Sequence, residues 1–469
     1  MSPQRLSLSV ATDQARTGFG RVWPFLGPGM LVSVGYMDPG NWATDLEGGA
    51  RFGYQLLWVL AVSNLVALLL QTLAVRLGLV SGLDLAQACR EMYRRPAAYM
   101  LWFFCEIAII ACDLAEVIGS AVALNLLFGI PMIWGATITV VDVLMILMLQ
   151  RFGARKLEAV ALVMVLTVAA CFAFELYLVH PDWREAARGL RPQIDRSSLY
   201  IAIGILGATV MPHNLYLHSA LVKTRVVAPR AQAQARALRF NFIDTLLSLN
   251  FAFLINAAIL IVSAAVFFRA AVPVDDLRDA HRLLAPLLGA SIASALFAVA
   301  LLCAGQAATV TGTLAGQIVM EGFLRLTLSP MIRRLLTRLL AVVPAIAVLE
   351  LAGEKSALNL LVITQVVLSL QLPFAIVPLI RFTSSRHLMQ QWASGVTVRC
   401  LGWMIVASIT AANAWLVLNT VASIQSHWMV LCVFVYAAAL GYVAFARLRP
   451  APHSSHDRGF AVRPALTAV

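Results

Sequence analysis

Charge is what this sequence has least of. Only 12% of its 469 residues are Asp, Glu, Lys or Arg, against 61% hydrophobic, whereas soluble domains carry about a quarter charged and about half apolar residues. That scarcity excludes the string of about three soluble domains that length alone suggests. Cysteine is sparse and scattered: Cys89, Cys105, Cys112, Cys171, Cys303, Cys400 and Cys432 form no C-x-x-C pair and no Cys/His spacing, which excludes a zinc site or a disulfide framework. No G-x-x-x-x-G-K-[ST] phosphate loop occurs, so ATP-driven work by this chain alone is not expected. The first twenty residues are polar and the first apolar run continues into a span, so no cleavable signal peptide is expected. The net charge of +12 does not indicate nucleic acid, because the basic residues lie between apolar runs, where cytoplasmic loops of a membrane protein carry them.

Long hydrophobic runs are what is there. Twelve are read, at about 24–49, 54–78, 96–126, 131–150, 156–179, 198–222, 240–268, 284–320, 335–352, 357–380, 400–421 and 427–446. Each is about 20 residues or longer, as a ~30 Å hydrocarbon core requires. The fold class is therefore all-α and polytopic, with about 12 transmembrane helices. The eighth run is long enough for a span plus a helical extension on the cytoplasmic side. Of the 35 Lys and Arg, only Arg51, Arg184, Arg188, Arg191, Arg196, Arg269, Arg278, Arg282 and Lys355 fall on one set of alternate segments. The rest fall on the other set, which includes both termini and is therefore expected to be cytoplasmic. The loop at 181–196, with its four arginines, is the main dissent. The tail after Arg447, with Pro450, Pro452, Ser454 and Ser455, reads as disordered, and no further soluble domain is expected.

Two of the runs are interrupted. Residues 207–219 place Met211-Pro212-His213-Asn214 inside an apolar stretch, and Asp38-Pro39-Gly40-Asn41 does the same in the first run. Proline lacks an N–H and clashes with the preceding turn of a helix. In lipid, a broken helix survives only where it is buried in protein or lines a cavity. Broken helices first and sixth in order imply a five-helix unit used twice with opposite orientation. Discontinuous helices in corresponding halves point to the binding site of a secondary transporter. The expected organisation is a cytoplasmic segment 1–23, a first five-helix repeat 24–180, an extracellular loop 181–197, a second repeat 198–380, two added helices 381–446 and a cytoplasmic tail 447–469.

The breaks bring together a particular set of donors. Asp38 lies near mid-span, where an ionised carboxylate costs at least ~2.5–3.5 kcal/mol and needs a cation, a partner or a proton. Asn41 supplies another oxygen, the backbone near Ala208 a freed carbonyl, and Met211 a thioether sulfur. Mg²⁺ and Ca²⁺ take oxygen only, while a thioether suits softer ions, favouring Mn²⁺, Fe²⁺ or Cd²⁺. The alternative for Met211 is gap-filling in the core. His213 and His218 follow, and imidazole is able to relay protons. Asp113 and Glu116, three apart, share one helical face, with Glu106 on roughly the same stripe. A proton route through Asp38, His213, Glu116 and Asp113 is expected. Arg338 is placed to pair with one of the acids, the alternative being static buried pairs; for His218 it is a packing role. Asp142, Glu175, Asp244 and Asn250 carry no assigned role.

These residues resemble the Nramp divalent-metal transporters, the family that includes bacterial proton-coupled manganese transporters. Asp38-Pro39-Gly40-Asn41 is similar to its first-span motif and Met211-Pro212-His213 to its sixth-span motif. Gly305-Gln306 and the run from Gly312 to Phe323 are similar to its eighth-span signature; Phe242-Ile243-Asp244-Thr245 and Asn256-Ala257-Ala258-Ile259-Leu260 also fit. The similarity spans about 20–420. It implies the inverted-repeat fold shared with amino-acid transporters and metal binding by Asp38, Asn41, Met211 and the Ala208 carbonyl. It adds Gln365 as a ligand in the occluded state. It also implies that His213, Glu116 and Asp113 lie on the proton route, with Glu106 and Arg338 in a charged network beyond. Asp45 and Glu47 stand where many members carry amides, and Ala307 and Ala308 where they carry hydroxyls. Asp45 is expected either to draw cations at the outer mouth or to be a solvated helix end.

The expected function is proton-coupled import of Mn²⁺, with Fe²⁺ and Cd²⁺ as further substrates, by alternating access in the plasma membrane. No enzyme activity and no cofactor are expected. The partners are the metal ion, protons and the lipid bilayer, with no nucleic acid and no oligomer required. The alternatives are Mg²⁺ or broad divalent-cation transport, an amino-acid symporter and a non-transporting receptor. Met211 argues against the first, the Asp38–Met211 combination against the second, and the lack of a signalling domain against the third.

Overall fold

The computed structural model describes residues 10–11, 25, 27–150, 154–227, 231–271, 274, 277–288, 291–325, 330–353, 356–424 and 427–449. Most of the segments expected at 1–23 and 447–469 therefore lie outside the described residues. The first span is two helices, α1 (Pro28–Gly35) and α2 (Pro39–Phe52). There follow α3 (Leu57–Ser81), the short α4 (Leu85–Met92), α5 (Arg95–Phe128), α6 (Met132–Gln150), α7 (Ala154–Val179) and the short α8 (Trp183–Arg188). The sixth span is again two helices, α9 (Leu199–Val210) and α10 (Pro212–Leu221). The chain continues with α11 (Ala231–Ser263), which runs into a π-turn at Ala264–Phe268, then α12 (Leu277–Leu288), α13 (Ser291–Leu324), α14 (Pro330–Ala352), α15 (Ala357–Thr383), the one-turn α16 (Arg386–Met389), α17 (Val396–Ile424) and α18 (His427–Phe445). The two-residue strands β1 (Val10–Ala11) and β2 (Arg225–Val226) pair in parallel.

The elements begin and end where the chain chemistry allows. The carboxylate of Asp38 caps α2 by accepting the Asn41 N–H at 2.8 Å, and Pro39 takes the first helical position, where its missing N–H costs nothing. Asp84 and Gln87 form a reciprocal capping box at the start of α4, satisfying two orphan donors. Gly129, with φ of 68°, ends α5 in the left-handed conformation, which favours glycine. The carboxylate of Asp244 on α11 accepts the N–H groups of Gly29 at 2.7 Å and Gly27 at 3.3 Å. An anion thus meets the positive end of the α1 dipole.

One boundary differs from the sequence reading. The eighth run is two helices, α12 and α13. The additional helix α12 precedes the span, and α13, with 34 residues, is itself longer than the about 20 that a span needs. Its sequence, LRDAHRLLAPLL, is amphipathic, so it lies along the protein with Leu277, Ala280 and Leu284 buried and its charges on the other face.

Small residues set how closely the spans approach the breaks. A Cβ at Gly119 on α5 would stand 2.2 Å from Pro39, and one at Gly207 on α9 would stand 2.2 Å from the Gln365 carbonyl of α15. These contacts seat α5 and α15 directly against the interrupted helices. Gly207→Val should therefore overpack the α9–α15 contact, at a cost of about 1–3 kcal/mol. We expect a lower unfolding temperature in detergent, while Gly441→Ala, where a Cβ meets nothing within 4 Å, should leave it unchanged.

Candidate metal site at the helix breaks

Backbone geometry builds the site. Between α1 and α2 the chain turns through Tyr36 and Met37, and Asp38 takes an extended conformation (φ −68°, ψ 166°). Between α9 and α10 a single residue, Met211, carries the whole break with φ of 35° and ψ of 102°. A side chain with positive φ is strained, and such strain persists only where the surroundings fix it. Pro212 supplies the reason for the break, since it contributes no N–H to the ladder of the preceding turn.

The two breaks are tied to each other. The Asn41 Nδ2 donates to Asp38 Oδ1 at 2.8 Å and to the Ala208 carbonyl at 3.0 Å. Asn256 of α11 donates from its Nδ2 to the Tyr36 carbonyl at 2.8 Å and to Asn41 Oδ1 at 3.3 Å. Gln365 presses its amide on the first break: a Cβ at Gly40 would stand 1.7 Å from the Gln365 Nε2. Asn214 donates to the Met211 sulfur at 3.4 Å. Asp38, Ala208, Met211 and Gln365 are fully buried, and Asn41 nearly so. Asp38 Oδ2 and Gln365 Oε1 have no hydrogen-bond partner among the described residues. Unsatisfied buried acceptors of this kind call for an explanation, and their chemistry is that of cation ligands.

The acids and histidines of the sequence reading fall into two groups. On one side of the breaks, Arg338 of α14 is completely buried, with Nη1 at 3.3 Å from Glu116 Oε2 and 4.0 Å from Asp113 Oδ1. It therefore reaches both acids of α5. Glu106, two turns before Asp113 on α5, accepts from Trp102 Nε1 at 3.0 Å. His213 is buried, with no hydrogen bond to its Nδ1. His218 pairs through Nδ1 with Gln71 Oε1 at 2.9 Å, and Gln71 donates to the Tyr36 hydroxyl at 2.9 Å. This chain leads from α10 back to a residue two before Asp38.

Asp45 corrects both readings made of it. It is neither at an open mouth nor a solvated helix end: it is fully buried on α2, and neither carboxylate oxygen has a hydrogen bond among the described residues. Glu47 is instead paired with Arg51 at 2.6 Å, one turn on. Asn256 was missed as a supporting residue, although it opens a family-like run, because nothing in its spacing relates α11 to α2. Asp244 was left without a role for the same reason. The Asp142 side chain lies outside the described residues.

A buried cation–carboxylate cluster loses its balance when one partner goes. Removing one partner of a buried ion pair costs about 3–5 kcal/mol. Arg338→Met should lower the unfolding temperature of the purified protein markedly. Adding Glu116→Gln to that variant should recover part of the loss in the same thermal assay.

Known proteins resemble this chain over most of its length. The profile of the natural resistance-associated macrophage protein-like (Nramp) family matches residues 29–419. A "Divalent metal cation transporter MntH" of Nostoc sp. is 51% identical over 417 residues, covering 88% of this chain and 94% of the relative. A protein of the same description from Listeria monocytogenes is 49% identical over 421 residues, covering 89% and 94%. Among solved structures, the manganese transporter of Eremococcus coleocola superposes with a TM-score of 0.85 at 37% identity, covering 94% of this chain and 97% of that one. Mhp1, a nucleobase-cation-symport-1 family transporter, superposes with a TM-score of 0.57 at 14% identity, covering 89% and 93%, and so shares the fold alone. With the family profile spanning both breaks and half the residues identical to curated relatives, this chain belongs to the Nramp family of divalent-metal transporters, which are not enzymes.

Proposed function

We propose that this protein imports Mn²⁺, with Fe²⁺ and Cd²⁺ as further substrates, across the plasma membrane with protons as the coupling ion. The observation that carries the reading is the buried donor set at the two breaks, in which Asp38 Oδ2 and Gln365 Oε1 are without hydrogen-bond partners and Met211 is held at positive φ. Asp38 provides the charge, Asn41, Gln365 and the Ala208 carbonyl provide neutral oxygens, and Met211 provides the soft ligand that discriminates against Ca²⁺ and Mg²⁺. The manganese-transporter description of the 37% identical structural relative supports the same choice of ion.

Alternating access is the transport mode assigned to this site. α1 and α10 lead away from the breaks on one side and α2 and α9 on the other, so rocking these half-helices opens the donor set to each side in turn. Both termini are assigned to the cytoplasm on the distribution of Lys and Arg, so α2 and α9 face outward. The proton route is assigned to Asp38, His213, Glu116 and Asp113, with His218 beside it and Glu106 and Arg338 in the charged network beyond. The partition into repeats 24–180 and 198–380 belongs to the same proposal.

Four outcomes are expected in proteoliposomes. Asp38→Ala should abolish uptake of Mn²⁺ in a protein that is folded and inserted. Met211→Ala should retain uptake but lose most of its preference for Mn²⁺ and Cd²⁺ over Ca²⁺ in competition, whereas unchanged selectivity would return Met211 to a packing role. Mn²⁺ flux should rise when a pH gradient, acid outside, is imposed, and His213→Ala with Glu116→Gln should lose that response. Labelled leucine should not be taken up.

A further inference from the structure

Glu175 is a buried acid that the site at the breaks does not use. It lies near the end of α7, is fully buried, and has no hydrogen bond to either carboxylate oxygen among the described residues. Glu175 faces a small pocket lined by Leu46 of α2, Phe172 of α7, Ser263 of α11, Phe267 of the π-turn, Leu284 of α12 and Phe297 of α13, with aliphatic side chains of α11 completing the wall. Its accessible interior has room for about one water molecule. The Ser263 hydroxyl is committed to the Leu46 carbonyl at 2.6 Å. None of the proposed metal ligands borders the pocket.

Among the described residues, no other titratable side chain lines this space. On α7 itself Cys171 lies one turn earlier and is buried, and on α13 the nearest is the half-buried Cys303. On α2, Asp45 and Glu47 flank Leu46 in sequence, and Glu47 is paired with Arg51. Arg269 follows the π-turn, and α12 carries Arg278, Asp279, His281 and Arg282, while Leu284 is its contact with the pocket. α1, the α11 wall and the described side chains of α6 contribute none.

We infer that Glu175 is a proton-binding site, separate from the metal site, whose proton holds the outward arm α2 packed against α7 and α13. A divalent metal does not suit the pocket, since one carboxylate and one committed hydroxyl fall well short of six hard ligands. A proton needs only the carboxylate, and it removes the penalty of an ionised acid with no counter-charge. The pocket is also placed to matter. Leu46 belongs to the arm that must move for the site to open outward, and Phe267 belongs to a π-turn, an irregularity frequent at functional sites. When α2 swings away, water enters and Glu175 releases its proton. External acid therefore favours the packed arm, and the packed-to-open ratio changes by up to about tenfold per pH unit while the group titrates.

This inference takes α2 as the outward arm and so rests on the proposed transport reading, but its test does not require flux. Purified full-length protein is treated with dicyclohexylcarbodiimide, an apolar reagent that attacks protonated buried carboxyls, and the Glu175 peptide is followed by mass spectrometry between pH 5 and 9. Glu175 should be modified at acid pH, with modification falling about tenfold or more toward alkaline pH. Absence of modification throughout, or modification independent of pH, overturns the proposal. Alkylation of the neighbouring Cys171 then reports arm opening. At pH 8 it should be severalfold slower in Glu175→Gln than in the wild type, and at pH 6 the two should match. Equal rates at pH 8 overturn the coupling to the arm. If Asp38→Ala shows that the metal-site reading is wrong, the carbodiimide result still decides the proton site on its own.

Discussion

A bilayer offers no water to a broken helix, and the rest of this structure depends on how two breaks are satisfied there. At each break the helical ladder of N–H and C=O groups is interrupted, and a free peptide group in hydrocarbon costs several kcal/mol. The protein answers with side-chain amides. Asn41 spans from Asp38 to the Ala208 carbonyl, and Asn256 spans from the Tyr36 carbonyl to Asn41. These bonds join α1–α2 to α9–α10 and to α11, so the interrupted helices act as one unit. The oxygens left over, on Asp38 and Gln365, are the ones available to an ion.

Close packing around the breaks follows from the same need. Gly119 lets α5 rest on Pro39 and Gly207 lets α9 rest on the α15 backbone. The seal is tight enough that Asp38, Met211, Gln365, His213 and His218 are all at most 1% exposed. Charge is handled in the same economical way. Arg338 reaches both Glu116 and Asp113, while Asp244 meets the positive end of α1. Among the described residues, Asp45 on α2 and Glu175 on α7 stand apart as fully buried carboxylates with neither oxygen hydrogen-bonded.

Much of the fold was legible because its determinants are local. A run of about 20 apolar residues needs no partner to be recognised as a span, and a proline with asparagine at mid-span marks a break whatever surrounds it. α12 was not separated from the eighth run because the apolar stretch starting at residue 284 hides where an amphipathic helix ends and a span begins. Arg338 was placed correctly near an acid, but its reach to both Glu116 and Asp113 depends on how α14 crosses α5. Asp45 was misjudged because helical spacing gives the face a residue shares with Asp38 and says nothing of what packs over that face.

The sequence by itself determined the membrane class, the two breaks and the chemistry of the residues that stand at them, Asp38, Asn41 and Met211. Hydrophobicity, proline chemistry and ligand softness are properties of the residues and survive without coordinates. Only the tertiary structure decided that Asn256 braces the first break, that Gln365 presses on Gly40, that Asp244 caps α1 from more than two hundred positions away, and that Glu175 faces a small apolar-walled pocket. Those are contacts between elements remote in sequence, fixed by how closely helices approach and rotate against one another, and no local pattern encodes that distance.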